Sequence, residues 1–145
     1  MPNKTDNNNK GMNETIVIDA ANAITGRLAS FAAKQVLLGK KAVVINSEKA
    51  IIIGTKKNIV GKYAARVGRG RATHKGPYFP RQPEAILRRA IRGMLPYGKA
   101  RGKILFRNVK CYASVPPEFQ DVKKIKLGKE TNADYLTLGE VSKLV

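Results

Sequence analysis

The feature that most constrains this chain is a pair of short β-branched apolar runs separated by a helical pattern. Residues 15–20 read TIVIDA and residues 42–46 read AVVIN. Both are nearly continuous in apolar character rather than alternating, as expected of strands covered on both faces. Between them Leu28, Ala32, Val36 and Leu37 recur at helical spacing. Asn22 and Gly26 mark the preceding turn, Thr25 is the expected N-cap and Gly39 the expected stop. Strand, helix, strand in this order predicts a right-handed βαβ unit with parallel strands.

A third short run, 50–53 (AIII), ends at Gly54, with Thr55 as the next expected N-cap. Ile59, Val60, Tyr63, Ala64 and Val67 then form one apolar stripe, while Lys56, Lys57, Lys62 and Arg66 fall mostly off it. Residues 68–82 (GRGRATHKGPYFPRQ) have no period and read as a long loop. Pro83 and Glu84 suit the first turn of a helix whose stripe is Ile86, Leu87, Ala90, Ile91, Met94 and Leu95. Arg88, Arg89 and Arg92 lie off that stripe, and Pro96 ends it. Residues 97–103 (YGKARGK) read as a second basic loop, 104–106 as a helical turn and 109–113 as a strand. After Pro116-Pro117 comes a less regular arm over 123–134, then a terminal helix over Leu138–Leu144 capped by Thr137.

The expected architecture is α/β, with about four strands and helices on both faces. The 145 residues are enough for one domain with its own core. That domain is expected over 15–113. Residues 114–145 are expected to form a C-terminal arm with a short helix, packed on the domain or on neighbours. Residues 1–14, rich in Asn and Lys, read as a disordered tail, and Met12 offers an alternative start.

Charge narrows the function. Lys and Arg total 28 against 10 acids, a net +18. A compact body with that charge repels itself and is expected to work beside a polyanion: nucleic acid first, an anionic membrane second. The excess is localised. Residues 66–110 carry 13 of the basic residues and one acid, Glu84, and favour Arg over Lys, nine to four. A solvating surface would intersperse both signs. Arginine's planar fork suits bidentate phosphate contacts and stacking on bases.

The expected RNA contacts are Lys56, Lys57, Arg66, Arg69, Arg71, His74, Lys75, Tyr78, Arg81, Arg88, Arg89, Arg92, Lys99, Arg101 and Lys103. Tyr78 and His74 offer flat faces among the charges, and Phe79 is equally suited to core packing. Lys56 and Lys57 fall in the first turn of their helix, where cations oppose the dipole. Either a bound phosphate or plain hydration answers that conflict.

Other classes lack their signatures. No apolar run approaches a membrane span of about 18 residues, and 1–14 lack a signal-peptide core. With one cysteine, Cys111, and one histidine, His74, a disulfide or a structural zinc site is not expected, and a reducing cytoplasmic compartment fits. The first βα turn lacks G-x-G-x-x-G, and no G-x-x-x-x-G-K-[ST] occurs. No pair of acids has catalytic or metal-binding spacing. Three readings remain: a structural RNA-binding scaffold, a free-standing RNA or DNA regulator, and a nucleotide-dependent enzyme.

Several segments carry a resemblance. Residues 15–38 (TIVIDAANAITGRLASFAAKQVLL), 41–48 (KAVVINSE), 109–113 (VKCYA) and above all 89–96 (RAIRGMLP) resemble the family of large-subunit ribosomal protein thirteen. The loop 73–80 (THKGPYFP) and the C-terminal arm look like its archaeal and eukaryotic branch. The similarity spans about 15–145. It implies a three-layer α/β/α core around a parallel four-stranded sheet. It also implies early, stable binding to large-subunit ribosomal RNA beside neighbouring ribosomal proteins, with no catalytic site, cofactor, membrane or small-molecule substrate. The basic positions that match are Arg88, Arg92, Lys99, Arg101 and Lys103, with the loop around His74 and Lys75.

Overall fold

The computed structural model describes residues 14–69 and 78–145. The two apolar runs become β1 (Thr15–Asp19) and β2 (Lys41–Ile45), paired in parallel from Thr15 opposite Lys41 to Asp19 opposite Ile45. Their connection is α1 (Thr25–Leu37), which buries Leu28, Ala29, Ala32, Ala33 and Val36. Three alanines on that face let the helix lie close to the sheet. The N-cap is Ile24, not Thr25. Thr25 sits inside the first turn, where its buried hydroxyl donates to the Ile51 carbonyl at 2.9 Å, and Gly26 is likewise helical. Tertiary burial has claimed a side chain that local propensity assigns to a cap. The helix ends as expected, with Gly39 at φ 91. Its N–H donates to Val36 and that of Lys40 to Gln35, the paired bonds of a Schellman motif.

The main sheet runs β4-β2-β1-β5, with every pairing parallel. Four parallel strands are present, but the third apolar run is not among them. β3 (Ile51–Ile53) leaves the sheet and pairs antiparallel with β6 (Tyr135–Thr137). The cause lies just before it. Asn46 takes φ 56, and a 3-10 turn at Ser47–Lys49 redirects the chain. Asn46 is held there by its amide, which donates to the Asp19 carboxylate at 2.9 Å. β4 (Val109–Cys111) joins β2, and the free edge of β1 is taken by β5 (Lys124–Lys126), from the segment expected to be irregular. Lys-Ile-Lys holds one apolar residue, too short a pattern for sequence periodicity to register.

The sheet divides the core into layers. On one face Ile16, Ile18, Ala42, Val44 and Val109 pack with α1 and with Ile86, Leu87 and Ile91 of α3 (Pro83–Met94). On the other, Val17, Val43 and Ile45 meet Tyr112, Val115 and Phe119, part of a thinner layer containing a 3-10 turn at Pro117–Phe119. The α/β fold thus has three layers. α2 (Lys56–Gly68) buries Ile59 and packs on α5 (Leu138–Leu144) and β6. Thr137 caps α5 in a full capping box with Glu140, as expected.

The second basic loop is largely helix. α4 (Ala100–Arg107) begins two residues after the Tyr97-Gly98 turn and includes Gly102. A Cβ on Gly102 would lie 2.0 Å from the Pro96 carbonyl oxygen. The glycine that reads as a helix breaker is there because the chain crosses itself at that point.

Candidate nucleic-acid interface

The apolar stripe of α3 fastens the helix to the sheet, so its arginines face outward by periodicity alone. What the structure adds is a set of aromatic rings beneath them. The Arg88 guanidinium carbon lies 4.5 Å from the centroid of the Phe106 ring on α4, Arg89 is 4.7 Å from Phe79, and Arg92 is 5.1 Å from Tyr97. Arg66, on α2, lies 5.6 Å from both Tyr63 and Phe79. Two ring pairs stiffen these platforms: Tyr63 against Phe79 at 5.7 Å and Tyr97 against Phe106 at 5.5 Å, both edge-to-face. Each cation–π contact is worth about 0.5–1 kcal/mol at an exposed site. Its further effect is to restrict a side chain that carries about 2 kcal/mol of rotamer entropy when free.

For Phe79 the core-packing expectation holds in part. It is half-buried against the main core, and two guanidinium groups cover its ring. Arg89 also donates to the Tyr78 carbonyl at 3.2 Å, joining α3 to the incoming chain. Tyr78 is 68% exposed.

Two clefts open between these groups. One, of about 360 Å³, is lined by Arg66, Arg69, Phe79 and Arg89. The other, of about 230 Å³, is lined by Pro80, Ala85, Arg88, Arg89, Arg92 and Phe106. Among the described residues neither has a carboxylate in its wall. Among the described residues an ion pair joins Lys40 to Glu14 at 2.8 Å, and none of Arg66, Arg88, Arg89 and Arg92 is paired with an acid. Their forks are held close together with like charge, an arrangement an oxyanion stabilises.

The remaining expected residues divide. Lys99, Arg101 and Lys103 are exposed at the start of α4, whose first turn holds no acid and whose N-cap makes no side-chain bond. They extend the arginine surface along the next helix. Arg81 is exposed on the approach to α3. Lys56 and Lys57 are exposed in the first turn of α2. Lys56 is close enough to Glu140 to help hold that carboxyl below its usual range, behind the stronger effect of the Thr137 hydrogen bonds. That acid on α5 partly answers the dipole conflict. Arg71, His74 and Lys75 lie outside the described residues.

Sequence reasoning passed over Tyr63, Tyr97 and Phe106 as platforms. Tyr63 and Arg66 are three apart on one helix, a spacing that was available as a signal. Tyr97 and Phe106 meet their arginines only when α4 folds back on α3. Burial pushes the Tyr63 hydroxyl pKa up, and the neighbouring Arg66 partly offsets this.

The family model described as Ribosomal protein L13 matches residues 13–118. The large ribosomal subunit protein uL13 of Archaeoglobus fulgidus is 43% identical over 133 residues, covering 88% of this chain and 85% of that protein. Its counterpart in Methanosarcina barkeri is 43% identical over 132 residues, covering 87% and 94%. That of Methanopyrus kandleri is 42% identical over 137 residues, covering 89% and 85%. On a family match over most of its length and relatives this similar across nearly all of theirs, the chain belongs to the ribosomal protein L13 family.

Proposed function

We propose that this chain is a non-catalytic structural constituent of the large subunit of the cytoplasmic ribosome, where it binds large-subunit ribosomal RNA and supports early assembly beside neighbouring ribosomal proteins. The observation that carries the binding mechanism is the set of four arginines seated on aromatic rings with no carboxylate partner among the described residues. Arg88, Arg89, Arg92 and Arg66, with Lys99, Arg101 and Lys103 beyond them, neutralise phosphates and release counterions. The α/β body holds these cations in register, positioning the RNA rather than reading its sequence. In this reading residues 15–113 are the RNA-binding body. The arm over 114–145 completes it, supported by the pairing of β5 with β1 and of β6 with β3.

The test is a salt titration of binding to protein-free large-subunit RNA, with sedimentation of the assembled particle at moderate salt. The full chain is expected to travel with the particle. Replacing Arg88, Arg92 and Arg101 with Ala is expected to lower the salt slope by about two to three, at about 0.7–0.9 per lost phosphate contact, with the melting temperature lowered by only a few degrees through the two lost cation–π contacts. A chain that stays at the top of the gradient, or a slope unmoved by the triple substitution, overturns this reading.

A further inference from the structure

The face of the sheet turned away from α1 and α3 carries a second basic surface. Strand register sets Lys110 of β4, Val43 of β2, Val17 of β1 and Lys124 of β5 in one row across the sheet. A parallel sheet covered on both faces would carry apolar residues throughout such a row. Here both edge positions are lysine, about 14 Å apart at the usual strand spacing. Beside Lys110 lies a groove of about 390 Å³, whose wall among the described residues includes Lys41, Arg107 and Lys110 but no carboxylate, with Val43 and Phe119 as its apolar part. All three cations are exposed.

The chemistry of this face selects its occupant. Val17 is 2% exposed and Val43 4%, because Tyr112, Val115 and Phe119 already cover them. Little apolar area remains for the buried centre that a protein interface needs. A polyanion needs none, since neutralised phosphates and released counterions drive its binding. We infer that Lys41, Arg107 and Lys110 form a second RNA-backbone contact on the sheet face opposite α3, so that the protein bridges two RNA segments. This rests on the RNA-binding reading above and extends it. The arginines of α3 and Lys110 lie on opposite faces of one stiff sheet, with Arg107 at the end of α4 beside the β4 edge, so the sheet acts as a spacer between the two segments.

The experiment is hydroxyl-radical footprinting of large-subunit RNA with the full chain, comparing Lys41→Ala/Arg107→Ala/Lys110→Ala with Arg88→Ala/Arg92→Ala/Arg101→Ala. A single Lys110→Glu variant serves as a milder probe, and thermal melts check folding. The native chain is expected to protect two separate sets of nucleotides. The groove triple loses one set, keeps the other, and lowers the salt slope by about two to three. Lys110→Glu weakens the same set alone. If the groove variants leave every protection unchanged while the α3 variant loses its set, the second contact is refuted and the RNA-binding reading stands. If crosslinks from position 110 in the assembled particle reach protein instead of RNA, the inference is refuted in favour of a protein partner. Absence of any protection by the native chain would sink both.

Discussion

The guanidinium carbon of Arg88 lies 4.5 Å from the centroid of the Phe106 ring, so a cation on α3 is held by an aromatic face on α4. The same ring meets Tyr97 edge-on, and Tyr97 in turn carries Arg92. Two helices joined by a short turn thus share one set of rings, and the arginines above them are ordered before any ligand arrives. Preorganisation of this kind lowers the entropy lost on binding.

Replacing Phe106 with Leu keeps an apolar side chain in a half-buried position but removes the π face. With about 0.5–1 kcal/mol of cation–π stabilisation lost, the melting temperature is expected to fall by about 2–5 °C, and the freed Arg88 lowers affinity for large-subunit RNA by about two- to fivefold. Filter binding at fixed salt measures it. Unchanged affinity would show that Arg88 needs no platform.

Gly102 faces the Pro96 carbonyl so closely that a Cβ would sit 2.0 Å from its oxygen. Backbone has to move to relieve that contact. Gly102→Ala is therefore expected to destabilise the fold by about 1–3 kcal/mol, in the range of overpacked sites, even though alanine is the better helix former. Urea denaturation reads the loss as a lower midpoint. A midpoint at or above the native value would contradict the close crossing.

Burial pushes the Cys111 thiol up to about 12, with Arg88 acting against the shift and Glu84 adding to it. The thiolate is the reactive species. Cys111 is therefore expected to resist alkylation at pH 8 in the folded protein and to react once urea unfolds it. The neutral thiol is the form the fold accommodates, so its stabilising contribution is complete below the unfolded pKa near ~8.5. It is lost as pH rises towards 12. A Cys111→Ala variant should show a shallower loss of stability between pH 9 and 12 than the native chain, as followed by urea midpoints. Equal slopes would assign the alkaline loss to other groups.

Thr137 accepts from the Glu140 N–H at 3.2 Å, and the Glu140 carboxylate accepts from the Thr137 N–H at 2.9 Å. Thr137→Ala is expected to cost about 0.5–2 kcal/mol, the usual range for a lost N-cap. Hydrogen bonds from Thr137 are the largest causes that hold Glu140 below its ordinary range. Its contribution is therefore present above the unfolded value near ~4.3 and is lost as pH falls through the lower folded value. The native-to-variant difference in melting temperature should accordingly shrink on acidification. A difference that stays constant from pH 7 to pH 3 would count against the capping box.

Much of the architecture was legible in local pattern. The continuous apolar runs of β1 and β2, the 3.6-residue stripe of α3 and the turn chemistry of Gly39 and Thr137 each state their role within a few residues. The errors share one cause. Ile51–Ile53 has a strand's composition, but which sheet it joins depends on Asn46 and on a partner some eighty residues later. Lys-Ile-Lys becomes the fourth parallel strand because β1 has a free edge there, not because its own sequence is strand-like. Gly102 is helical for a neighbour that sequence cannot name.

The interface divides in the same way. The sequence by itself determined the charge, its concentration between residues 66 and 110, and the outward direction of Arg88, Arg89 and Arg92, because composition and helical period are local properties. Tertiary structure alone decided that Phe79, Tyr97 and Phe106 lie beneath those arginines, and that Lys110 and Lys124 share a sheet face across two intervening strands. Such juxtapositions depend on how elements dock and in what order strands pair. The free energy that sets them is spread over the whole buried core rather than written in any one segment.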